Sequence, residues 1–441
     1  MICNKKMTIE DCELTLLRHA VEEAENIQTT KLITPDVKEI IHILKDFMID
    51  KKVICYGGTA INNILPKEYQ FYEKNEIPDF DFFSKTPLQD AKELADLYFR
   101  KGFKEVEAKA GVHSGTFKLF VNFIPIADIT YLEEQIYDNI FKEAIVIQHI
   151  HYAPPNYLRM SMYLELSRPH GDVSRWKKVF ARLELLNQVY PLTSPNYAPQ
   201  TFELKSDIHE NLLNLLISLD VVFFGGYAFD IYYKQKEQQR QGFDVLSNDY
   251  EKTGERICDF LKKQGIEASF EAIEAIGEII PEHVDVLIHS HAVVSIYKPI
   301  ACYSYNEITI HSKPVKIASI DTILSFYLAF IYANIENKDR ILYMASTLFD
   351  IQQNNRGKTK GVMKRFSTTC YGEQKSLLDI RSEKTKKFKE LIKKKGTEEY
   401  DWWFLRYHPI EEKKKRKTTG TKKPTRKAKT RKNRETNSLF F

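Results

Sequence analysis

The sequence predicts an α+β protein with two lobes, each built on a mixed β-sheet, the second lobe being a degenerate copy of the first. Two observations carry this prediction. Short apolar segments of strand length alternate with segments whose apolar residues recur at helical spacing. A double glycine also follows an apolar strand twice, at Gly57-Gly58 and, 168 positions later, at Gly225-Gly226. With 441 residues, 43% of them hydrophobic, the chain can form more than one buried core.

The chain is predicted to divide into five segments. Residues 37–49 carry apolar side chains at helical spacing, which predicts a helical start of the chain. Residues 189–200, rich in Pro, Ser and Asn, are typical of a linker. Thirteen of the 65 Lys and Arg residues lie between positions 413 and 434, where there is no acid, so the tail is predicted to be disordered. The predicted boundaries are 1–48 for a helical segment, 49–190 and 201–345 for the two lobes, 346–410 for a helical extension and 411–441 for the basic tail.

Three aspartates are the candidate metal ligands. If residues 79–83 form a strand, Asp79 and Asp81 project from the same face, roughly 6–7 Å apart. The apolar run 123–132 predicts a neighbouring strand that carries Asp128. Carboxylates placed in this way can share two divalent ions, which activate an attacking hydroxyl and neutralise charge on a phosphate during phosphoryl or nucleotidyl transfer.

The first double glycine is the candidate phosphate site. Gly57 and Gly58 lack Cβ atoms and allow a triphosphate to approach the backbone, and Thr59 opens a predicted helix whose free amides suit phosphate oxygens. Alone, a double glycine is typical of a turn, and an Asp-x-Asp sequence is typical of a solvated pair. The order of these elements, each beside a predicted strand, is more specific than any one of them.

These motifs resemble the active site of the nucleotidyltransferase superfamily that includes DNA polymerase beta and the poly(A) polymerases. Residues 56–62, 150–186 and 366–372 narrow the resemblance to poly(A) polymerase catalytic subunits of poxvirus and giant-virus type, over most of residues 30–410. The resemblance implies template-independent addition of AMP from ATP to the 3′ end of messenger RNA with two Mg²⁺ or Mn²⁺ ions. It implies that Gly57, Gly58 and Thr59 hold the triphosphate and that Asp128 lies nearest the RNA 3′ hydroxyl.

A cation for the phosphates is predicted on the helix after the first sheet. Lys177 or Lys178 is the candidate, although an exposed lysine pair is equally typical of a solvated helix face. Arg159 is a further candidate, although an arginine on an amphipathic helix usually pairs at the surface.

The second lobe is predicted to be inactive. Asp244 matches Asp81, but Gly242 stands at the position of Asp79, and residues 294–297 replace the strand that carries Asp128. Asp285 lies in an apolar strand that comes one strand too early to substitute. One carboxylate cannot organise two metal ions and a hydroxyl.

Two basic segments are candidate RNA contacts. The first lies among glycines and aromatic residues, which suits a single strand whose bases stack on rings, although it is also typical of a solvated loop; its residues are Arg356, Lys358, Lys364 and Arg365. The basic tail can contact RNA phosphates without reading sequence, or can serve as a nuclear localisation signal or a solvated terminus.

The six cysteines are far apart and include no C-x-x-C pair, so no zinc cluster is predicted and the thiols are expected to be reduced. Cys55 and Cys258 are predicted to be small buried side chains.

No apolar run approaches eighteen residues, so no contact with a membrane is predicted and an intracellular location is expected. The resemblance implies ATP and the RNA 3′ end as substrates, a homodimer or a viral processivity partner, and the cytoplasmic viral factory or the virion as location.

Two alternatives remain open at this point. A related enzyme that adds CCA or a different base to RNA would use the same carboxylates. A noncatalytic RNA-binding or processivity subunit would need two inactive copies, and the three aspartates of the first lobe argue against it.

Overall fold

The computed structural model describes residues 7–10, 12–17, 19–20, 35–72, 78–195, 204–234, 242–333 and 337–410. Within this part of the chain, two eight-stranded mixed sheets are packed with helices, which confirms the predicted α+β class. The basic tail predicted for residues 411–441 lies outside the described residues.

The predicted N-terminal helix is α1 (Pro35–Lys51). It forms because apolar residues recur every three or four positions, which gives the helix one apolar face. That face is buried against the first lobe through Ile40, Leu44, Phe47 and Met48.

The first lobe contains seven strands that are contiguous in the sequence and an eighth from the end of the described chain. The strands are β1 (Ile54–Tyr56), β2 (Phe80–Ser84), β3 (Val106–Ala110), β4 (Thr116–Val121), β5 (Ile124–Tyr131), β6 (Ile145–Ile147), β7 (Ile150–Tyr152) and β16 (Arg406–Tyr407). Its helices are α2 (Gly57–Ile64), α3 (Pro87–Arg100), α4 (Glu134–Lys142), α5 (Pro155–Leu166) and α6 (Trp176–Val189). The strand order is β16-β3-β4-β5-β2-β1-β7-β6.

The second lobe is built in the same way. Its strands are β8 (Val222–Phe224), β9 (Phe243–Leu246), β10 (Ser269–Ile273), β11 (His283–Ile288), β12 (His291–Tyr297), β13 (Tyr303–Ile310), β14 (Lys313–Ala318) and β15 (Cys370–Tyr371). Its helices are α7 (Ser206–Ser218), α8 (Gly225–Tyr233), α9 (Tyr250–Lys263), α10 (Ile320–Ala333) and α11 (Lys338–Asn354), and α12 (Leu377–Leu391) and α13 (Glu398–Phe404) complete the described chain. The strand order is β10-β11-β12-β9-β8-β14-β13-β15.

The two sheets have the same topology over seven strands. The central pairing is parallel in both sheets: β5 with β2 in the first and β12 with β9 in the second. The next pairing is antiparallel in both: β2 with β1 in the first and β9 with β8 in the second. Identical order and direction of the strands confirm the predicted internal repeat. The sequence-based boundaries of the five segments stay predictions.

The lobes pack against each other through α10, all of whose side chains are buried. Tyr332 on this helix makes an edge-to-face contact with Tyr157 of α5, at 5.5 Å between ring centroids. Asn139 of α4 donates a hydrogen bond to the Tyr332 carbonyl at 2.8 Å. One hydrophobic core therefore runs through both lobes, and the second copy supports the first.

The C-terminal extension returns to the first lobe. Strand β16 pairs antiparallel with the edge strand β3. The indole Nε1 of Trp402 on α13 donates to the Ser114 hydroxyl at 3.1 Å, in the loop between β3 and β4. The extension thus covers an edge of the first sheet that would otherwise expose unpaired backbone groups.

The cysteines agree with the sequence-based expectations only in part. Cys55 and Cys258 are buried and free, as predicted. Cys302 and Cys370 form a disulfide with a Cα–Cα distance of 5.2 Å, so the expectation of reduced thiols throughout was wrong. The two residues lie 68 positions apart in sequence, and only the pairing of β13 with β15 brings them together.

No helix among the described residues is both long and apolar enough to cross a membrane.

Candidate active site

Four neighbouring strands of the first sheet place polar side chains in one row. Tyr56 on β1 is paired with Asp81 on β2, Asp81 with Asp128 on β5, and Asp128 with Lys118 on β4. Residues paired across adjacent strands project from the same face of the sheet. The structure therefore brings Asp81 and Asp128 side by side, as the sequence predicted.

Asp79 lies just before β2, on the exposed side of the same cluster. The Thr59 side chain is fully buried, and its hydroxyl donates a hydrogen bond to the Asp79 carbonyl oxygen. Thr59 thus ties the start of α2 to the strand that carries the aspartates.

The glycine turn directly contacts the carboxylates. Helix α2 begins at Gly57, three residues before the predicted start. Gly57 has φ of +69°, and a Cβ atom there would lie 2.6 Å from Asp81 Oδ2. Only glycine combines this left-handed conformation with so close an approach. The turn and Asp81 therefore form one continuous surface at the N-terminus of α2.

The electrostatics of the cluster are set first by burial of Asp81 and then by repulsion among the carboxylates. Burial, together with the negative charges of Asp128 and Asp79, raises the pKa of Asp81 to about 7, while the positive charges of Lys118 and Arg175 oppose this increase. Lys118 Nζ forms an ion pair with Asp128 Oδ2. The Arg175 guanidinium also pairs with Glu165, at 3.3 Å.

Arg182 on α6 is the cation that the structure places above the glycine turn. A Cβ atom at Gly58 would lie 2.7 Å from Arg182 Nη1 and 2.4 Å from the Tyr72 hydroxyl. The Arg182 guanidinium also stacks on the ring of Phe71, with its carbon 4.6 Å from the ring centroid. Ring stacking and the Tyr72 hydroxyl hold the guanidinium over the amides that open α2.

The lysines predicted for this function lie on the same helix. At 100° per residue, Lys178 is about 40° around the helix from Arg182, whereas Lys177 is about 140° away. Both lysines are exposed. Lys178 therefore shares the face of Arg182 that is turned toward the glycine turn, and Lys177 does not.

Arg159 is only 1% exposed and lies inside the fold. Its Nε donates to Asn187 Oδ1 at 2.7 Å, and its other nitrogens donate to Asn156 and the Tyr190 carbonyl. These bonds join α5 to the end of α6, so a phosphate contact at Arg159 does not fit the structure.

The residues predicted to contact RNA have different environments. Lys358 is exposed and Lys364 is partly exposed. Arg356 is exposed and forms an ion pair with Glu184 of α6 at 2.7 Å. These three residues lie on a segment that packs beside the helix carrying Arg182.

Arg365 differs from the other three. Its side chain is 15% exposed, lies 3.6 Å from the Asp321 carboxylate and stacks on Phe180 and Phe366. Arg365 therefore has partners within the protein, which compete with the RNA contact predicted for it.

The second lobe shows the same row of positions with different residues. Phe224 is paired with Asp244, Asp244 with Ser295, and Ser295 with Asp285. Ser295 thus stands where the first lobe has Asp128, and Asp285 stands where it has Lys118. Asp285 lies one strand away from the required position, as the sequence predicted.

The donor set of the first lobe fits divalent metal ions. Three carboxylates offer the hard oxygen ligands that Mg²⁺ and Mn²⁺ prefer. The charges of Asp79 and Asp128 raise the pKa of Asp81, and a bound dication would relieve this repulsion. By contrast, the corresponding row of the second lobe keeps only Asp244 at these positions.

Comparison with known proteins places this geometry in a family context. Residues 42–172 match the family model described as "Poly(A) polymerase catalytic subunit". This range holds the glycine turn and all three aspartates, and it ends before Arg182. The resemblance predicted from the sequence is thereby confirmed.

Viral proteins are similar to the chain over a limited length. The putative poly(A) polymerase catalytic subunit of African swine fever virus (isolate Pig/Kenya/KEN-50/1950) is 33% identical over 180 residues, which is 38% of each chain. The putative poly(A) polymerase catalytic subunit of Acanthamoeba polyphaga mimivirus is 32% identical over 198 residues, or 43% of this chain and 32% of that protein. The chain thus spans well under half the length of these curated relatives.

A solved structure extends the similarity to both lobes. The Megavirus polyadenylate synthase has a TM-score of 0.74 with 22% identity, covering 93% of this chain and 88% of that chain. This match shows a common fold that includes the second lobe.

We predict that the stability of the metal-free protein depends on pH through Asp81. Between about pH 4 and pH 7 the folded protein holds a proton on Asp81 that the unfolded chain releases, so the free energy of unfolding falls as pH rises. Asp81→Asn removes this dependence. The substitution should raise the free energy of unfolding more at pH 8 than at pH 5, and the difference should be on the order of 1–3 kcal/mol. Denaturant unfolding in the presence of EDTA measures it.

The exposed Asp259 provides the control, since Asp259→Asn removes a carboxylate that lies outside the cluster. An Asp81→Asn effect that is the same at pH 5 and pH 8 would contradict the prediction.

Proposed function

We propose that this chain is a template-independent poly(A) polymerase that transfers AMP from ATP to the 3′ end of messenger RNA. The observation that carries the proposal is the convergence of Asp79, Asp81 and Asp128 beside a glycine turn at a helix N-terminus. Such a cluster suits nucleotidyl transfer, because carboxylates can hold cations that neutralise the negative charge of the phosphates. The family match over residues 42–172 and the shared fold of both lobes support the same function.

In this proposal Asp79, Asp81 and Asp128 hold two Mg²⁺ or Mn²⁺ ions, which would lower the pKa of the RNA 3′ hydroxyl and neutralise charge on the phosphates. Asp128 lies next to the 3′ hydroxyl and orients it. The backbone amides at Gly57, Gly58 and Thr59 receive the triphosphate oxygens.

Arg182 is the proposed phosphate cation, with Lys178 on the same helix face. A planar guanidinium can donate two parallel hydrogen bonds to a phosphate. Its stacking on Phe71 limits its motion before ATP arrives, so less conformational entropy is lost on binding.

The RNA is proposed to approach along α6. Arg356, Lys358 and Lys364 lie on the segment that packs beside this helix, and their positive charges suit a phosphate backbone.

The resemblance further implies a location in the host cytoplasm or in the virion. It implies either a homodimer or a viral processivity partner, and the mass of the purified chain in solution separates these two cases.

The decisive experiment incubates the full chain with a labelled RNA primer, Mg²⁺ or Mn²⁺, and each ribonucleoside triphosphate separately. Long products with ATP alone are expected. Asp79→Ala, Asp81→Ala and Asp128→Ala should each abolish extension, because each removes a metal ligand, while RNA binding persists. Asp244→Ala is the matched control in the second lobe and should retain extension.

Equal use of all four nucleotides would instead support a different terminal nucleotidyltransferase. Absence of extension with every nucleotide would favour a noncatalytic RNA-binding subunit. A large loss of rate in Asp244→Ala would contradict the view that the second lobe is inert.

We predict that Arg182→Ala raises KM for ATP and lowers kcat/KM by about 10- to 100-fold, because a charge-assisted hydrogen bond is worth about 1.5–3 kcal/mol. Lys177→Ala is the control, since its side chain lies on another face of α6. Steady-state kinetics with a saturating primer measure both variants. Equal effects of the two substitutions would show that position on the helix does not matter.

We predict that Lys118→Met lowers kcat more than it changes KM for ATP, because Lys118 forms an ion pair with Asp128 and orients it. The loss of its positive charge should also move the pH profile of extension to higher pH, since Lys118 lowers the pKa of Asp81. Lys109→Met is the matched control, because it removes a lysine that is paired with Lys118 across β3 and β4 and so lies one strand farther from Asp128. An unchanged pH profile in Lys118→Met would refute this role.

A further inference from the structure

Three side chains with nitrogen and sulfur ligand atoms meet where the two lobes join. They are His170, Cys302 and Cys370, and one ligand atom from each lies within 4.8 Å of the others. We propose that these residues form a binding site for Zn²⁺ when the two cysteines are reduced. Sequence spacing predicted no zinc cluster, because the three residues come from distant parts of the chain.

The fold brings each of these residues to the junction. His170 lies in the turn after α5, where the Gly171 amide donates to the Arg168 carbonyl at 2.9 Å. Cys302 directly precedes β13, and Cys370 lies in β15, where it is paired with Ser304. The positions of the ligands are therefore set by backbone structure.

Two contacts close to the cluster hold the lobes together. The Ser304 amide donates to the Ser167 carbonyl at 2.8 Å. The Arg168 guanidinium lies 5.5 Å from the centroid of the Tyr303 ring. The residues that make these contacts are close neighbours of His170 and Cys302 in the sequence. The contacts therefore hold the segment that carries the imidazole next to the segment that carries the Cys302 sulfur.

The chemistry of the three ligands fits zinc. Zinc binds thiolates at about 2.3 Å and imidazole at about 2.0–2.1 Å, so a tetrahedral site needs sulfurs about 3.8 Å apart. Rotation of the two Cys side chains out of the disulfide can reach this separation. Two thiolates and a neutral imidazole make an uncharged complex with Zn²⁺, which suits the buried Cys302. His170 is exposed, so a water molecule can occupy the fourth position.

The disulfide and the metal exclude each other. A trialkylphosphine can reduce the disulfide: the phosphine takes an oxygen from water and becomes a phosphine oxide, and its two electrons and the two protons of water convert the disulfide into two thiols. Zinc binding then releases both thiol protons to solvent. Both states hold β15 on the second lobe, but only the metal state also includes His170 of the first lobe.

The test uses the full chain, reduced with the phosphine, stripped with EDTA and titrated with Co²⁺. One Co²⁺ per chain should produce sulfur-to-metal charge-transfer absorption, and Zn²⁺ should displace it. The carboxylates of the first lobe can also bind Co²⁺, but they cannot produce this absorption. Cys302→Ser and Cys370→Ser should each lose most of it, and His170→Ala should weaken Co²⁺ binding at least about 10-fold.

Cys258→Ser and His149→Ala are the controls, because one removes a buried free thiol and the other an exposed histidine outside the cluster. Neither should alter the absorption. His170 is exposed, so His170→Ala should fold even if a cysteine variant does not, and thermal unfolding verifies this. Absence of the absorption in the reduced chain, or equal Co²⁺ affinity in His170→Ala, would overturn the proposal. Neither result depends on polymerase activity.

Discussion

The burial of one carboxylate beside two others is the constraint around which the first lobe is arranged. Burial and the negative charges of Asp128 and Asp79 together raise the pKa of Asp81 to about 7, so the site opposes a third negative charge. Lys118 offsets part of that charge from the next strand. Such an arrangement persists only because the backbone of β2 and β5 is fixed by a core that extends into the second lobe.

The second lobe shows that the scaffold does not need these charges. It keeps the strand order, and Gly225 has φ of +62° beside Asp244, much as Gly57 lies beside Asp81. Yet Ser295 and Asp285 occupy the positions of Asp128 and Lys118. The acidic residue and its lysine partner are absent together, which is what we expect if this ion pair belongs to the chemistry of the first lobe. The second copy instead contributes α10, whose burial joins the lobes.

Much of the fold and part of the site could be predicted because the signals are local. The turn at Gly57 and the alternation of Asp79 and Asp81 depend on residues adjacent in sequence, and Asp128 lies in a recognisable strand. Lys118 and Arg182 were missed. The alternating pattern of β4 could have indicated that Lys118 shares a face with Asp128, but no local signal marks Arg182, which reaches the glycine turn from a helix more than a hundred residues later.

The sequence by itself determined the strands, the repeated glycine turn and the loss of two of the three aspartates from the second copy, because backbone conformation and side-chain alternation depend on neighbours along the chain. Only the tertiary structure decided which cations meet the carboxylates, that Arg159 is buried and Arg365 lies beside Asp321, and that Cys302 lies beside Cys370. Coulomb interactions and covalent pairing depend on distances through space. Those distances are set only when the sheets and helices pack.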